Sequence, residues 1–94
     1  MISYNIENGI DQHYNTAIKN VKKLDKRPKD DELLLLYGLY KQVQQGDNTT
    51  SKPWTIDFKG VKKWEAWTSQ KGKNVNIAKQ EYIELVNALS KKYA

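Results

Sequence analysis

From Asp11 onward the apolar residues recur at helical spacing and do not alternate. Tyr14, Ala17, Ile18, Val21 and Leu24 follow one another at intervals of 3, 1, 3 and 3, which puts them on one helical stripe with Lys19, Asn20, Lys22 and Lys23 mostly outside it. Asp11 offers an N-cap, so the pattern predicts a helix over 11–24 and leaves 1–10, of mixed polarity, as an N-terminal arm. Arg27-Pro28 interrupts the pattern. Asp30-Asp31-Glu32 then places negative charge where the macrodipole of a following helix favours it, and Gly46-Asp47 closes that helix after residue 45. Residues 47–57 are rich in turn formers and contain Pro53. A loop of that length is unusual in a compact domain and is therefore a candidate for function. A third, shorter helix fits Lys59 or Gly60 to about Gln70, with Val61, Trp64 and Trp67 on one side. Lys71-Gly72-Lys73 stops it. Asn74 caps the last helix, over 75–92, whose stripe is Val75, Ala78, Tyr82, Leu85, Val86, Leu89 and Tyr93. Strand signals are nearly absent. The chain reads as all-α, a small four-helix bundle in one domain over 11–94.

Composition narrows the chemistry. Sixteen Lys and Arg against 11 Asp and Glu give a formal net charge of +5, which suits anionic partners or simply solubility. There is no cysteine, so disulfides, thiolate metal sites and cysteine nucleophiles fall away together. His13 is the single histidine and has no carboxylate cluster beside it to build a zinc site, so no metal is expected. MISYNIENGID carries neither the basic nor the apolar region of a signal peptide, and the longest apolar run, Leu33–Tyr37, is far too short to span a bilayer. The expectation is a cytoplasmic protein.

Two clusters are candidates for a site. Tyr37, Tyr40 and Lys41 sit at i, i+3 and i+4 and share a helix face, with Leu33 and Leu36 extending it by a turn. A face apolar at one end, aromatic in the middle and cationic at the other suits an amphiphile; equally, the tyrosines fit a core from which Lys41 snorkels away. Lys59, Lys62 and Lys63 form the second cluster, read either as a solvated face or as a seat for phosphate. No catalytic residue stands out: none of Ser3, Ser51, Ser69 and Ser90 has a GxSxG setting, and neither GxGxxG nor GxxxxGK[ST] occurs. Arg27 is the only arginine and lies beside a proline, which argues against specific nucleic-acid readout.

Three blocks in order carry a resemblance. The run DDELLLLYGLYKQ over 30–42 is followed by Gly46-Asp47 and Asn48-Thr49. Thr55-Ile56-Asp57-Phe58-Lys59-Gly60 comes next, then Lys63-Trp64-Glu65-Ala66-Trp67. The last helix adds Ala78, Tyr82 and Ile83, and the chain ends in Lys91-Lys92-Tyr93-Ala94. Over residues 11–94 the sequence resembles the acyl-CoA-binding protein family. The departures are the longer arm over 1–10, Tyr14 where phenylalanine is common, and Trp54 where the family often has glycine.

The resemblance implies an up-down-down-up four-helix bundle that binds medium- to long-chain fatty acyl-CoA esters, with no further cofactor and no catalysis. It implies that Tyr37, Tyr40, Lys41 and Lys63 hold the adenosine 3′-phosphate region and that Tyr82 packs near the adenine. Lys22 and Lys59 become further ligand contacts, and Leu33 and Leu34 line the acyl chain. It also implies a monomeric intracellular carrier and pool former, in transient contact with membranes and acyl-CoA-using enzymes. The charges are compatible: coenzyme A bears about four negative charges, counting two for a phosphate monoester, which convergent lysines offset. Two other readings stand beside this one, a basic helical interaction module at membranes and an acyl-CoA thioesterase. The second would need a nucleophile or an activated water.

Overall fold

The computed structural model describes residues 5–93, which form four helices: α1 (Asn5–Val21), α2 (Asp30–Gln45), α3 (Phe58–Thr68) and α4 (Val75–Lys92). Ion pairs and ring contacts fix their directions. Asp11 meets Lys79 at 2.5 Å and the Tyr14 ring meets that of Tyr82, so α1 and α4 run parallel. Glu32 near the start of α2 meets Lys92 at the end of α4, while Gln42 donates to the Lys73 carbonyl ahead of α4, so that pair is antiparallel. Lys63 lies over Tyr37 and Lys41 over Trp67, so α2 and α3 are parallel. The order is up-down-down-up. It packs α4 between α1 and α2 and leaves α3 against α2 alone.

The core lies where α4 is sandwiched. Tyr14, Ala17, Leu36, Leu39, Ala78, Tyr82, Val86 and Leu89 are buried in one cluster, with Ile18, Val21, Leu24 and Leu85 packed on its edge. The stripes of the first and last helices therefore face each other. Asn74 caps α4 as its position predicts, its Oδ1 accepting from the Asn76 N–H at 2.8 Å. Asp57 caps α3 in the same way, accepting from the Gly60 N–H at 3.1 Å. Glu32 clamps the start of α2 to the end of α4. Its carboxylate accepts from Lys92 Nζ at 2.7 Å, the Tyr93 hydroxyl at 2.5 Å and the Lys29 N–H at 2.8 Å. These bonds, the one from Lys92 foremost, hold its pKa down at about 2.

The arm expected over 1–10 is corrected where the structure describes it. Residues 1–4 lie outside the described residues, but Asn5–Ile10 form the first turns of α1. No proline interrupts 5–10, and Gly9 alone costs only about 1 kcal/mol of helix propensity. Asp11 is consequently interior to the helix, and its carboxylate is taken by Lys79 rather than by a cap. α1 also ends at Val21, not Leu24, because the Lys22 and Lys23 amides turn back three residues to Lys19 and Asn20.

Parallel neighbours cannot be joined by a tight turn, which accounts for the long loop over 46–57. Its first half runs back along α3. Trp67 Nε1 donates to the Gly46 carbonyl at 2.8 Å, Asn48 Nδ2 to Thr68 Oγ1 at 3.0 Å, and Trp64 Nε1 to the Thr50 carbonyl at 3.1 Å. Asp47 binds it to the α3–α4 turn by accepting from Gln42 and from the Gly72 N–H, both at 2.8 Å. Gly38 explains how closely the pair packs. A Cβ there would lie 2.3 Å from the Ala66 carbonyl oxygen, so only glycine lets the two backbones touch.

Candidate functional site

α2 and α3 are in contact from Gly38 and Ala66 onward but stand apart at their N-terminal halves. The space between is a cleft of about 930 Å³. That is within the range of small-molecule sites, about 300–1,000 Å³. The α2 wall is Leu33, Leu34 and Tyr37; the α3 wall is Phe58, Lys59, Lys62 and Lys63. Arg27, Asp30 and Asp31 stand at the far end, where Arg27 pairs with Asp30 at 2.9 Å. The i, i+4 rule puts Leu33 and Tyr37 on one side of α2, while Leu36 and Leu39 turn inward to the core. On α3 the same spacing gives Lys59 and Lys63 to the cleft and Trp67 to the closed part of the seam.

At the closed end the cations meet aromatic faces. Lys63 Nζ sits 5.6 Å from the Tyr37 ring centre, and one turn on, Lys41 Nζ sits 4.6 Å from that of Trp67. Lys59, Lys62 and Lys63 form no ion pair with another described residue. The result is a trough with apolar walls leading to a cluster of ammonium groups and a phenol. Such a trough can take an apolar chain and an anionic head at once.

The other expected site residues lie elsewhere. Tyr40, 38% exposed, is turned toward the Tyr14 and Tyr82 side of α2. Tyr82 itself is in the core, edge-on to Tyr14 with ring centres 5.2 Å apart, and lines no part of the cleft. Burial pushes its phenol up to about 12, and the Tyr14 and Tyr40 hydroxyls add to the effect. Tyr14 Oη is buried with no partner in hydrogen-bonding geometry. Burial raises its pKa, and the Gln44 side chain only partly opposes this. Lys22 is exposed in the turn after α1, away from the cleft walls. Lys62, part of the second candidate cluster, lines the cleft, whereas Phe58 and the Trp67 plate beneath Lys41 are not among the expected site residues. Phe58 lies just ahead of the helix expected from Lys59 or Gly60, and the Asp57 cap makes it the first residue of α3. Trp67 reads as core from its spacing, and it is core, with one face given to a lysine.

The fold and this trough define a small helical binding domain. The family model described as "Acyl CoA binding protein" matches residues 11–86, and the chain belongs to that family. It is 53% identical over 85 residues to an acyl-CoA-binding protein homolog of Drosophila melanogaster, covering 90% of this chain and 99% of that one. It is 45% identical over 85 residues to the acyl-CoA-binding protein of Saccharomyces cerevisiae, covering 90% and 98%. Among solved structures it superposes on the crystal structure of Oryza sativa acyl-CoA-binding protein 2 with a TM-score of 0.87. The identity there is 32% and the coverage 92% and 94%. A solution structure of an acyl coenzyme A binding protein from yeast gives a TM-score of 0.67 at 46% identity, with coverage of 85% and 93%.

Proposed function

We propose that this protein binds long-chain fatty acyl-CoA esters and carries them as a monomer in the cytoplasm without reacting with them. The carrying observation is that an apolar-walled cleft ends in the Tyr37–Lys63 and Lys41–Trp67 seam. In this reading the acyl tail lies along Leu33, Leu34 and Phe58. The adenosine 3′-phosphate sits among Tyr37, Lys41 and Lys63, and Lys59 meets the remaining phosphates. The adenine lies against Tyr40, with Tyr82 behind it in the core. Lys22 is a peripheral contact with the nucleotide. Family membership and the named relatives support the ligand class. Among the described residues no group of acidic, histidine or cysteine side chains could hold a metal, and no helix is long and apolar enough to cross a membrane. The carrier meets membranes and acyl-CoA-using enzymes transiently as it loads and unloads.

Burying the tail supplies about 0.8 kcal/mol per methylene before ordering costs, so affinity rises with acyl length until the cleft is filled. The head is read separately. Charge-assisted hydrogen bonds contribute about 1.5–3 kcal/mol apiece, so palmitoyl-dephospho-CoA is expected to bind about a hundredfold more weakly than palmitoyl-CoA. Lys41→Ala and Lys63→Ala should weaken the parent ligand and leave the dephospho ligand almost untouched. Calorimetric titration of two ligands against wild type and each variant measures this coupling. Equal losses for both ligands would remove that lysine from the 3′-phosphate. Release of free coenzyme A on incubation would replace the carrier with a thioesterase.

A further inference from the structure

The second half of the 46–57 loop does not pack on α3. Trp54 is 82% exposed, Ile56 88% and Phe58 69%, three large apolar side chains within five residues of sequence. This is not a loose tail. The Asp57 N–H donates to the Trp54 carbonyl at 2.9 Å, closing a turn with Thr55 and Ile56 at its tip, and Asp57 at once caps α3. The ridge is thus held out in water by hydrogen bonds on both sides. Exposed apolar groups concentrated in this way mark an interaction surface.

The surroundings state what kind of surface fits. Lys59 and Lys62 follow the ridge on the first turns of α3, and Lys52 precedes it. The nearby carboxylates are occupied: Asp57 by its cap, Glu65 by Lys52 at 3.5 Å, Asp30 by Arg27 at 2.9 Å, and Asp31, across the cleft, by the Glu32 N–H at 2.9 Å. The ridge is built on one short turn, and Trp54 and Ile56 line neither of the clefts described, so the turn offers no groove to seat a helix or strand. A tryptophan beside lysines and short aliphatic side chains suits the boundary between headgroups and acyl chains. There the indole spans both zones and the lysines meet anionic headgroups.

We propose that the Trp54–Phe58 turn is a docking element for anionic lipid surfaces. It inserts Trp54 and Ile56 among the headgroups while Lys59 and Lys62 lie on them. Phe58 belongs to both the ridge and the cleft wall, so docking brings the open end of the cleft to the lipid surface. The docking site rests on the carrier reading for its purpose, though not for its existence. An acyl chain leaving along Leu34 and Phe58 would pass into lipid without crossing water.

The test uses the full chain without ligand and phosphatidylcholine vesicles made with and without phosphatidylserine. Wild type should co-sediment with the anionic vesicles and only weakly with the neutral ones. Lipids brominated on the acyl chains should quench its tryptophan fluorescence, and Trp54→Phe should abolish most of that quenching, since Trp64 and Trp67 lie against the loop and α2. The double variant W54S/I56S should lose about tenfold or more of its affinity for vesicles. Its affinity for palmitoyl-CoA in solution should stay within about twofold, because neither residue lines the cleft. Unchanged vesicle binding by W54S/I56S would overturn the docking element, and equal binding to neutral vesicles would overturn its charge requirement. Capture of a protein partner with no vesicle binding would assign the ridge to another class of surface. Failure of wild type to bind soluble palmitoyl-CoA would sink the carrier reading instead, and the vesicle result would still be legible.

Discussion

α2 has two faces, and they are built in opposite ways. The face toward α4 is filled: Leu36 and Leu39 are 5% and 2% exposed and pack with Val86, Leu89 and Ala78. The face toward α3 is closed only from Gly38 onward, and its N-terminal half is left as an apolar-walled trough. Leu33 and Leu34 differ from Leu36 in no property of their own. What separates them is the partner helix. α4 crosses the full length of α2 in antiparallel sense, whereas α3 is short, parallel and held close at one end. Stability and ligand capture therefore draw on neighbouring residues of one helix, and each can be perturbed with little effect on the other.

The largest expected effect breaks the filled face. Leu39→Ala removes a side chain that is 2% exposed and should cost about 2–5 kcal/mol of stability, with the apparent affinity for palmitoyl-CoA kept as long as the protein is folded. Leu34→Ala is the mirror experiment. Being only partly buried, it should cost less than about 1 kcal/mol of stability yet weaken palmitoyl-CoA binding. Urea denaturation and calorimetry on the same two variants check both halves; parallel losses in both assays would erase the distinction between the faces.

A smaller effect is expected at the point where the faces meet. Gly38→Ala gains about 1 kcal/mol of helix propensity but drives a Cβ into the Ala66 carbonyl, and overpacking of this kind costs about 1–3 kcal/mol. Net destabilisation in thermal melts, with a loosened α2–α3 seam read as lost Trp67 fluorescence intensity or a red shift, is the expected outcome. A net gain would mean that the helices have room to part.

The smallest is electrostatic and concerns the filled face, where Glu32 meets the end of α4. Glu32 is held at about 2, below its ordinary 4.5, so the unfolded chain takes up a proton there before the folded one does. Its contribution is present above 4.5 and is lost as pH falls from there through about 2. Melting temperatures of wild type and Glu32→Gln should converge over that window. A gap that persists at its lower end would assign the stability to something other than the carboxylate.

Much of this architecture was legible from spacing. The stripe of the last helix and its Asn74 cap are local signals, and they appear where the spacing put them. The start of α1 was hidden because Asp11 has the chemistry of a cap, and only the fold brings Lys79 to it across 68 positions. The candidate site divides along the same line. Tyr37 and Lys63 come together because the helices carrying them run parallel, which the length of the intervening loop hints at. Tyr82 is harder to place: an aromatic on a helical stripe reads alike whether its outer neighbour is a ligand or Tyr14, and here it is Tyr14. A mid-helix glycine such as Gly38 costs helix propensity, and the group that needs its missing side chain, the Ala66 carbonyl, is visible only in the fold.

The parallel docking of α1 on α4 also bears on how the chain is made. α1 is the first helix to be synthesised, and its stripe has no comparable run of contacts with α2 or α3. Its chief partner is the last helix in the chain. From the end of α1 at Val21, 71 further residues must be added to complete α4 at Lys92. At about 5–20 residues per second a ribosome needs roughly 4–14 s to deliver them. Throughout that interval the nascent chain carries Tyr14, Ala17, Ile18 and Val21 without the surface that covers them in the finished protein. Vectorial synthesis therefore leaves the earliest apolar stripe exposed the longest, and the fold completes only once its final helix has emerged.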